Sequence, residues 1–120
     1  QTGRTNMADG YFITPQDAHQ VEMLAGIHRR TMATTDEAML CEFFLERDSV
    51  VPEHSHMNDQ VGYVIYGSVE LTIGDVSRVC QPGDSYAVPG GVVHKARALV
   101  DSLIIDAFSP PRNDYRTEAR

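Results

Sequence analysis

Residues 60–110 read QVGYVIYGSVELTIGDVSRVCQPGDSYAVPGGVVHKARALVDSLIIDAFSP, and this stretch decides the predicted fold. Its short runs of β-branched, aromatic and other apolar residues are separated by turn residues at Gly67, Gly74-Asp75, Pro82-Gly83-Asp84 and Pro89-Gly90-Gly91. Short strands with turns at such regular intervals are typical of antiparallel sandwiches and barrels. No long segment has a helical period. We therefore predict an all-β, single-domain barrel of the jelly-roll kind.

The pattern extends upstream of this stretch and stops soon after it. Residues 26–46 alternate roughly in twos, which predicts strands around 26–32 and 38–46 joined by a turn at ATTDE. Residues 1–20 are polar and irregular, and we expect a partly flexible N-terminal arm there. The barrel is predicted over 21–110, and 111–120 form a C-terminal tail that leaves the sheet at Pro110.

Composition excludes several classes of function. The chain has 120 residues and a formal net charge of −7, which argues against a nucleic-acid surface. No apolar run is long enough to span a bilayer and no secretory leader is recognisable, so we expect a cytoplasmic protein. Cys41 and Cys80 form no C-x-x-C pair and are interpreted as small apolar fillers.

Four residues have the pattern of a metal site. His54 and His56 are two apart, so on a strand both imidazoles face the same side and can meet one ion. Gln60 follows four residues later and offers an amide oxygen. His94 lies on a separate predicted strand that could lie opposite. We predict that these four side chains hold one divalent ion, with Zn, Ni, Fe and Mn all left open.

Two linked motifs in these residues resemble the cupin superfamily. The first is H-x-H, an acid after three or four residues and a glycine six residues later, and HSHMNDQVGYVIYG at 54–67 has that spacing. The second is G, five residues, P-x-G, two residues and H, and GDSYAVPGGVVH at 83–94 matches it in full. The sequence departs from the pattern twice, with Asp48 where a glycine is expected and Gln60 where Glu is usual. The resemblance implies a double-stranded β-helix barrel.

A longer and rarer run narrows the resemblance. Together with both motifs, DAFSPPRNDY at 106–115 looks like the small pectin-degradation cupins of the KdgF family, over roughly residues 24–116. That family linearises 4,5-unsaturated uronates. The resemblance implies a metal-dependent, isomerase-type enzyme that acts on a small anionic sugar acid, with Asp106, Phe108 and Arg112 as further site residues. It also implies a homodimer.

The chemistry of these three residues agrees with such a role. Asp106 and Phe108 are two apart on a predicted strand and share a face. A carboxyl group inside a barrel has a raised pKa, which suits proton transfer near neutral pH. Arg112 can bind a carboxylate through two parallel hydrogen bonds, and Phe108 offers a flat wall to a sugar ring.

Each role has a plainer alternative. Asp106 could cap a turn or pair with Arg97, Phe108 could serve the core alone, and Arg112 could be a solvated tail residue. Gln60 could hydrogen-bond a ligand rather than contact the ion. Since cupins host many reactions, a metal-dependent dioxygenase or lyase remains an alternative, as does a non-catalytic sensor of small molecules.

Overall fold

The computed structural model describes residues 10–116, so the predicted arm before residue 10 and the tail after residue 116 lie outside the described residues. The strands are β1 (Gln20–Leu24), β2 (Ile27–Thr34), β3 (Met39–Leu45), β4 (Val50–His54), β5 (Asp59–Tyr66), β6 (Val69–Ile73), β7 (Val76–Cys80), β8 (Ser85–Val88), β9 (His94–Ala98) and β10 (Ser102–Ser109). A short helix, α1 (Asn113–Arg116), follows β10. Within residues 10–116, no helix is long and apolar enough to cross a bilayer.

The strands form two antiparallel sheets. The larger sheet has the order β1-β2-β3-β10-β5-β8, and the smaller has the order β4-β9-β6-β7. Strand β10 therefore lies between β3 and β5, and the chain passes repeatedly from one sheet to the other. This is the topology of a jelly-roll barrel, and it confirms the predicted all-β cupin fold.

Alternation along the strands separates the core from the outer surface. In β10, Ile104, Asp106 and Phe108 point inward with Ser102, whereas the residues between them are less buried. Strands β2 and β3 confirm the two strands predicted around 26–32 and 38–46. Cys41 and Cys80 are buried free thiols, in agreement with their interpretation as fillers.

Two tight turns lie at the ends of β4 and β5 that are opposite to His54 and Gln60. Gly67 has a φ of 97°, and a Cβ there would lie 2.1 Å from the hydroxyl oxygen of Ser102. Asp48 has a φ of 69°, so it keeps the left-handed conformation that a glycine at this position adopts most easily. Its carboxylate accepts a 3.4 Å hydrogen bond from Arg97. The departure from the motif therefore preserves the turn.

The segment after β10 folds back onto the barrel. Tyr115 in α1 is only 7% exposed, and its ring packs edge to face against Phe43 and Phe108. Its carbonyl accepts a 3.1 Å hydrogen bond from the hydroxyl of Thr31 in β2. These contacts fix the direction of the chain that carries Arg112.

Candidate metal centre and active site

Three histidines converge between the ends of strands. His54 is the last residue of β4 and pairs in register with His94, the first residue of β9. His56 lies just past the end of β4, so its imidazole is placed by the following loop rather than by the strand. One ring nitrogen from each histidine lies within 4.8 Å of the others. The cluster is therefore compatible with a metal site.

The backbone fixes which nitrogen of each imidazole faces the cluster. In each histidine, Nδ1 lies within hydrogen-bond distance of a main-chain carbonyl: Pro52 for His54 at 2.9 Å, Asn58 for His56 at 3.1 Å and Val92 for His94 at 2.9 Å. A carbonyl only accepts, so each Nδ1 carries the proton. Each Nε2 then presents a lone pair, as ligating histidines require.

The lone pairs at this centre lack protein donors. Nε2 of His94 is buried and has no hydrogen-bond partner. Nε2 of His56 lies 3.0 Å from Oε1 of Gln60. The Gln60 side chain also hydrogen-bonds to the Asp106 carboxyl, which orients its NH₂ group toward Asp106 and its oxygen toward His56. A cation beside the two facing acceptors would satisfy both, so these residues fit a divalent metal ion.

The environment favours the neutral form of two of these imidazoles, His56 and His94. Burial lowers the pKa of both His56 and His94, and the Arg112 guanidinium lowers the pKa of His56 further. Neutral imidazole is the form that binds a metal. His56 and His94 are therefore in the form that can bind an ion at neutral pH.

Asp106 is a buried acid beside this centre. It is 2% exposed, and one of its oxygens accepts a 2.7 Å hydrogen bond from the Tyr86 hydroxyl. Burial raises the pKa of the carboxyl to about 6, although the hydrogen bonds from Tyr86 and Gln60 act in the opposite direction. Arg97 pairs with Asp48 instead, so the alternative pairing of Asp106 with Arg97 is not formed.

Phe108 and Arg112 also reach the site. The Phe108 ring is 2% exposed and stands edge to face with the His56 imidazole at 5.8 Å, so it is both a core residue and a wall. The Arg112 side chain is 18% exposed, lies 4.4 Å over the Tyr115 ring and pairs with Asp114 at 3.1 Å. It is not a solvated tail residue.

One cavity of about 90 Å³ joins these groups. The structure brings all seven predicted residues to its lining: His54, His56, Gln60, His94, Asp106, Phe108 and Arg112. Tyr86 and Tyr115 line the same cavity and are not among the residues predicted from the sequence. Both lie inside the quoted motifs, but spacing alone does not show that their side chains face the cavity.

Comparison with known proteins agrees with this architecture. A family model of the cupin domain matches residues 42–104. The chain is 31% identical to the pectin degradation protein KdgF of Dickeya dadantii over 107 residues, which cover 88% of this chain and 96% of that protein.

Solved structures give the same result. The structure of KdgF from a Halomonas species superposes with a TM-score of 0.81 at 35% identity, covering 86% of this chain and 96% of that one. An RmlC-like cupin from Shewanella frigidimarina superposes with a TM-score of 0.84 at 28% identity, covering 88% and 95%. The chain belongs to the cupin superfamily and, within it, to the family of the pectin degradation protein KdgF.

Proposed function

We propose that this protein is a metal-dependent enzyme of pectin or alginate breakdown that converts 4,5-unsaturated uronates into the linear 5-keto-4-deoxyuronate. The observation that carries the proposal is a buried acid, Asp106, in the same cavity as three lone-pair-donating histidines and the Arg112 cation. The family resemblance to KdgF supports the choice of substrate.

The proposed reaction moves one proton and changes no atom count. The C1 hydroxyl of the cyclic uronate loses a proton, the bond between C1 and the ring oxygen breaks, and C1 becomes an aldehyde. The released electron pair leaves an enolate over C4, C5 and the former ring oxygen. Protonation at C4 then gives the ketone at C5.

Three residues of this chain supply the proton transfer and the orientation. Asp106 accepts the proton from the C1 hydroxyl and returns it at C4, since a carboxyl with a pKa of about 6 exchanges protons readily near neutral pH. Arg112 binds the C6 carboxylate through charge-assisted hydrogen bonds. The Phe108 ring limits the position of the sugar beside His56.

His54, His56, His94 and Gln60 would hold the metal ion. When bound, a divalent ion acts as a Lewis acid that lowers the pKa of a hydroxyl in contact with it. All four ligands are uncharged, so the ion would keep its full positive charge toward an anionic substrate. Imidazole and amide ligands do not distinguish Zn, Ni, Fe and Mn.

The direct test is loss of the ultraviolet absorbance of the conjugated C4=C5 bond, with a pectate- or alginate-lyase digest as substrate. We expect catalytic loss that a chelator suppresses and a divalent metal restores. Asp106→Ala should abolish turnover and retain the metal content of the wild type. Turnover no faster than the spontaneous reaction with every metal would refute the proposal. Oxygen consumption or cleavage of a small acid would then indicate a dioxygenase or lyase, and binding without turnover would indicate a sensor.

The proposal extends to a homodimer. On the outer face of the larger sheet, Leu40, Val61 and Tyr63 are between 38% and 54% exposed and line one shallow groove with Ile105. Contiguous apolar surface of this kind favours contact between copies. Light scattering should show a dimer for the wild type and a weakened dimer for Val61→Lys. A wild-type protein that is monomeric at micromolar concentration would refute the proposed homodimer.

A further inference from the structure

A missing side chain in the middle of the larger sheet brings two functional groups together. Gly62 in β5 pairs with Asp106 in β10 on one side and with Tyr86 in β8 on the other. A Cβ on Gly62 would lie 2.1 Å from an Asp106 carboxyl oxygen and 2.3 Å from the Tyr86 hydroxyl oxygen. The two side chains therefore meet directly over the glycine of the strand between them.

Space, and not backbone conformation, requires glycine at this position. Gly62 does not have a positive φ, so its backbone conformation does not require glycine. Even an alanine there would need the pair to separate, because a Cβ cannot approach other heavy atoms to about 2 Å. The contact between Tyr86 and Asp106 is therefore the feature that excludes a side chain at residue 62.

The Tyr86 hydroxyl has a specific partner. Its ring packs against the barrel core, where a phenylalanine ring would fill the same space. The hydroxyl donates to Asp106 at 2.7 Å, a distance typical of a strong hydrogen bond to a carboxylate. Burial of Tyr86 and the nearby Asp106 charge raise the pKa of the phenol well above 10, so the group remains a donor.

We propose that Tyr86 is a positioning residue that holds the Asp106 carboxyl in the direction needed for proton transfer, and that Gly62 supplies the space for this contact. The inference rests on the proposed uronate reaction, in which one carboxyl group serves two substrate atoms, C1–OH and C4. A carboxyl that turns about its Cα–Cβ bond loses alignment with both, and small misplacements at such a site reduce rates by up to about 100-fold.

Tyr86→Phe tests the inference because it removes one oxygen atom and retains the ring. We expect kcat to fall about 10- to 100-fold, with KM within about threefold and an unchanged metal content. Tyr66→Phe is the matched control, since Tyr66 is the last residue of β5 and is 45% exposed. Its kcat should equal that of the wild type. A Tyr86→Phe variant with wild-type kcat would overturn the inference. The proposed function would still stand in that case, because it depends only on turnover by the wild type.

A crystal structure of Tyr86→Phe provides a readout that does not depend on activity. We expect the Asp106 carboxyl to occupy a different rotamer, or more than one, while the three histidines keep their positions. An Asp106 carboxyl in the wild-type position would overturn the inference. If the wild type shows no turnover of unsaturated uronates, the proposed function is refuted. The comparison of the Tyr86→Phe and wild-type crystal structures then decides by itself whether Tyr86 positions the Asp106 carboxyl.

Discussion

Replacement of Asp106 by Asn should stabilise the metal-free protein at alkaline pH. The carboxyl is 2% exposed and is hydrogen-bonded by Tyr86 and Gln60. Within residues 10–116 the structure shows no ion pair to it at salt-bridge distance. An asparagine has nearly the same shape and can accept the Tyr86 hydrogen bond with its amide oxygen. The substitution thus removes a buried charge and keeps the packing.

The magnitude follows from the difference in pKa between the folded and unfolded states. Burial raises the pKa of Asp106 from 3.8 to about 6, and each pKa unit corresponds to about 1.4 kcal/mol. Between these values the folded chain binds more protons than the unfolded chain, so this group reduces stability as the pH rises from 4 through 6. The loss is about 3 kcal/mol at pH 8 and under about 1 kcal/mol at pH 4.

Thermal denaturation checks this expectation when the wild type and Asp106→Asn are compared at pH 8 and at pH 4, with a chelator present to keep both proteins free of metal. A gain of about 3 kcal/mol raises the midpoint at pH 8 by roughly 10 °C for a domain of this size, and most of the gain should disappear at pH 4. Taking the difference at each pH cancels the contribution of His56 and His94, whose pKa values burial lowers. Bound metal should reduce the gain, because a nearby cation favours the ionised carboxylate. An Asn variant that is less stable at pH 8, or equally stabilised at both pH values, would refute the reasoning.

Three further predictions concern the ligands and the C-terminal segment. His54→Ala should lose the bound metal, measured by elemental analysis, and at least about 100-fold of turnover; full activity without metal would refute the Lewis-acid role. Arg112→Lys should raise the KM for the uronate about 10-fold and leave the KM for its methyl ester unchanged; equal effects on both substrates would exclude carboxylate binding. Tyr115→Ala should lower the free energy of unfolding by about 3–5 kcal/mol in denaturant titrations, with Tyr115→Phe within about 1 kcal/mol as the control. A fully stable Tyr115→Ala variant would show that the folded-back segment contributes nothing to the core.

Local patterns predicted the fold and the convergence of the histidines proposed as metal ligands. Turn residues and alternation depend on neighbours in sequence, and both survive in the structure as strands with inward and outward faces. The pairing of His54 with His94 follows from the antiparallel contact of β4 and β9, which the jelly-roll topology dictates. The adjacent Arg29 and Arg30 face opposite ways, as alternation requires, with Arg29 3% exposed and Arg30 paired with Glu42.

The contacts of Tyr86 and Tyr115 could not be predicted from the sequence because they join segments that are distant along the chain. Tyr86 reaches Asp106 across an intervening strand, and nothing in the local pattern of β8 distinguishes a tyrosine that faces the cavity from one that faces solvent. Tyr115 accepts its hydrogen bond from a residue 84 positions earlier. Composition after Pro110 predicts a tail that leaves the sheet, whereas Tyr115 is 7% exposed and packs against the core.

The balance of charge at the centre favours a reactive site over a structural one. Structural metal sites surround the ion with protein ligands and need no further acid. Here a buried carboxyl with a raised pKa stands beside the four uncharged side chains that we propose as metal ligands, and the cavity also contains Arg112. The chain as a whole carries a charge of −7, so attraction of an anionic ligand must come from this local cluster. Keeping Asp106 buried reduces stability, and the Gly62 gap and the Tyr86 hydroxyl hold it in place. Local features that oppose stability are expected where a reaction requires them, so the arrangement supports the proposed proton transfer to an anionic substrate.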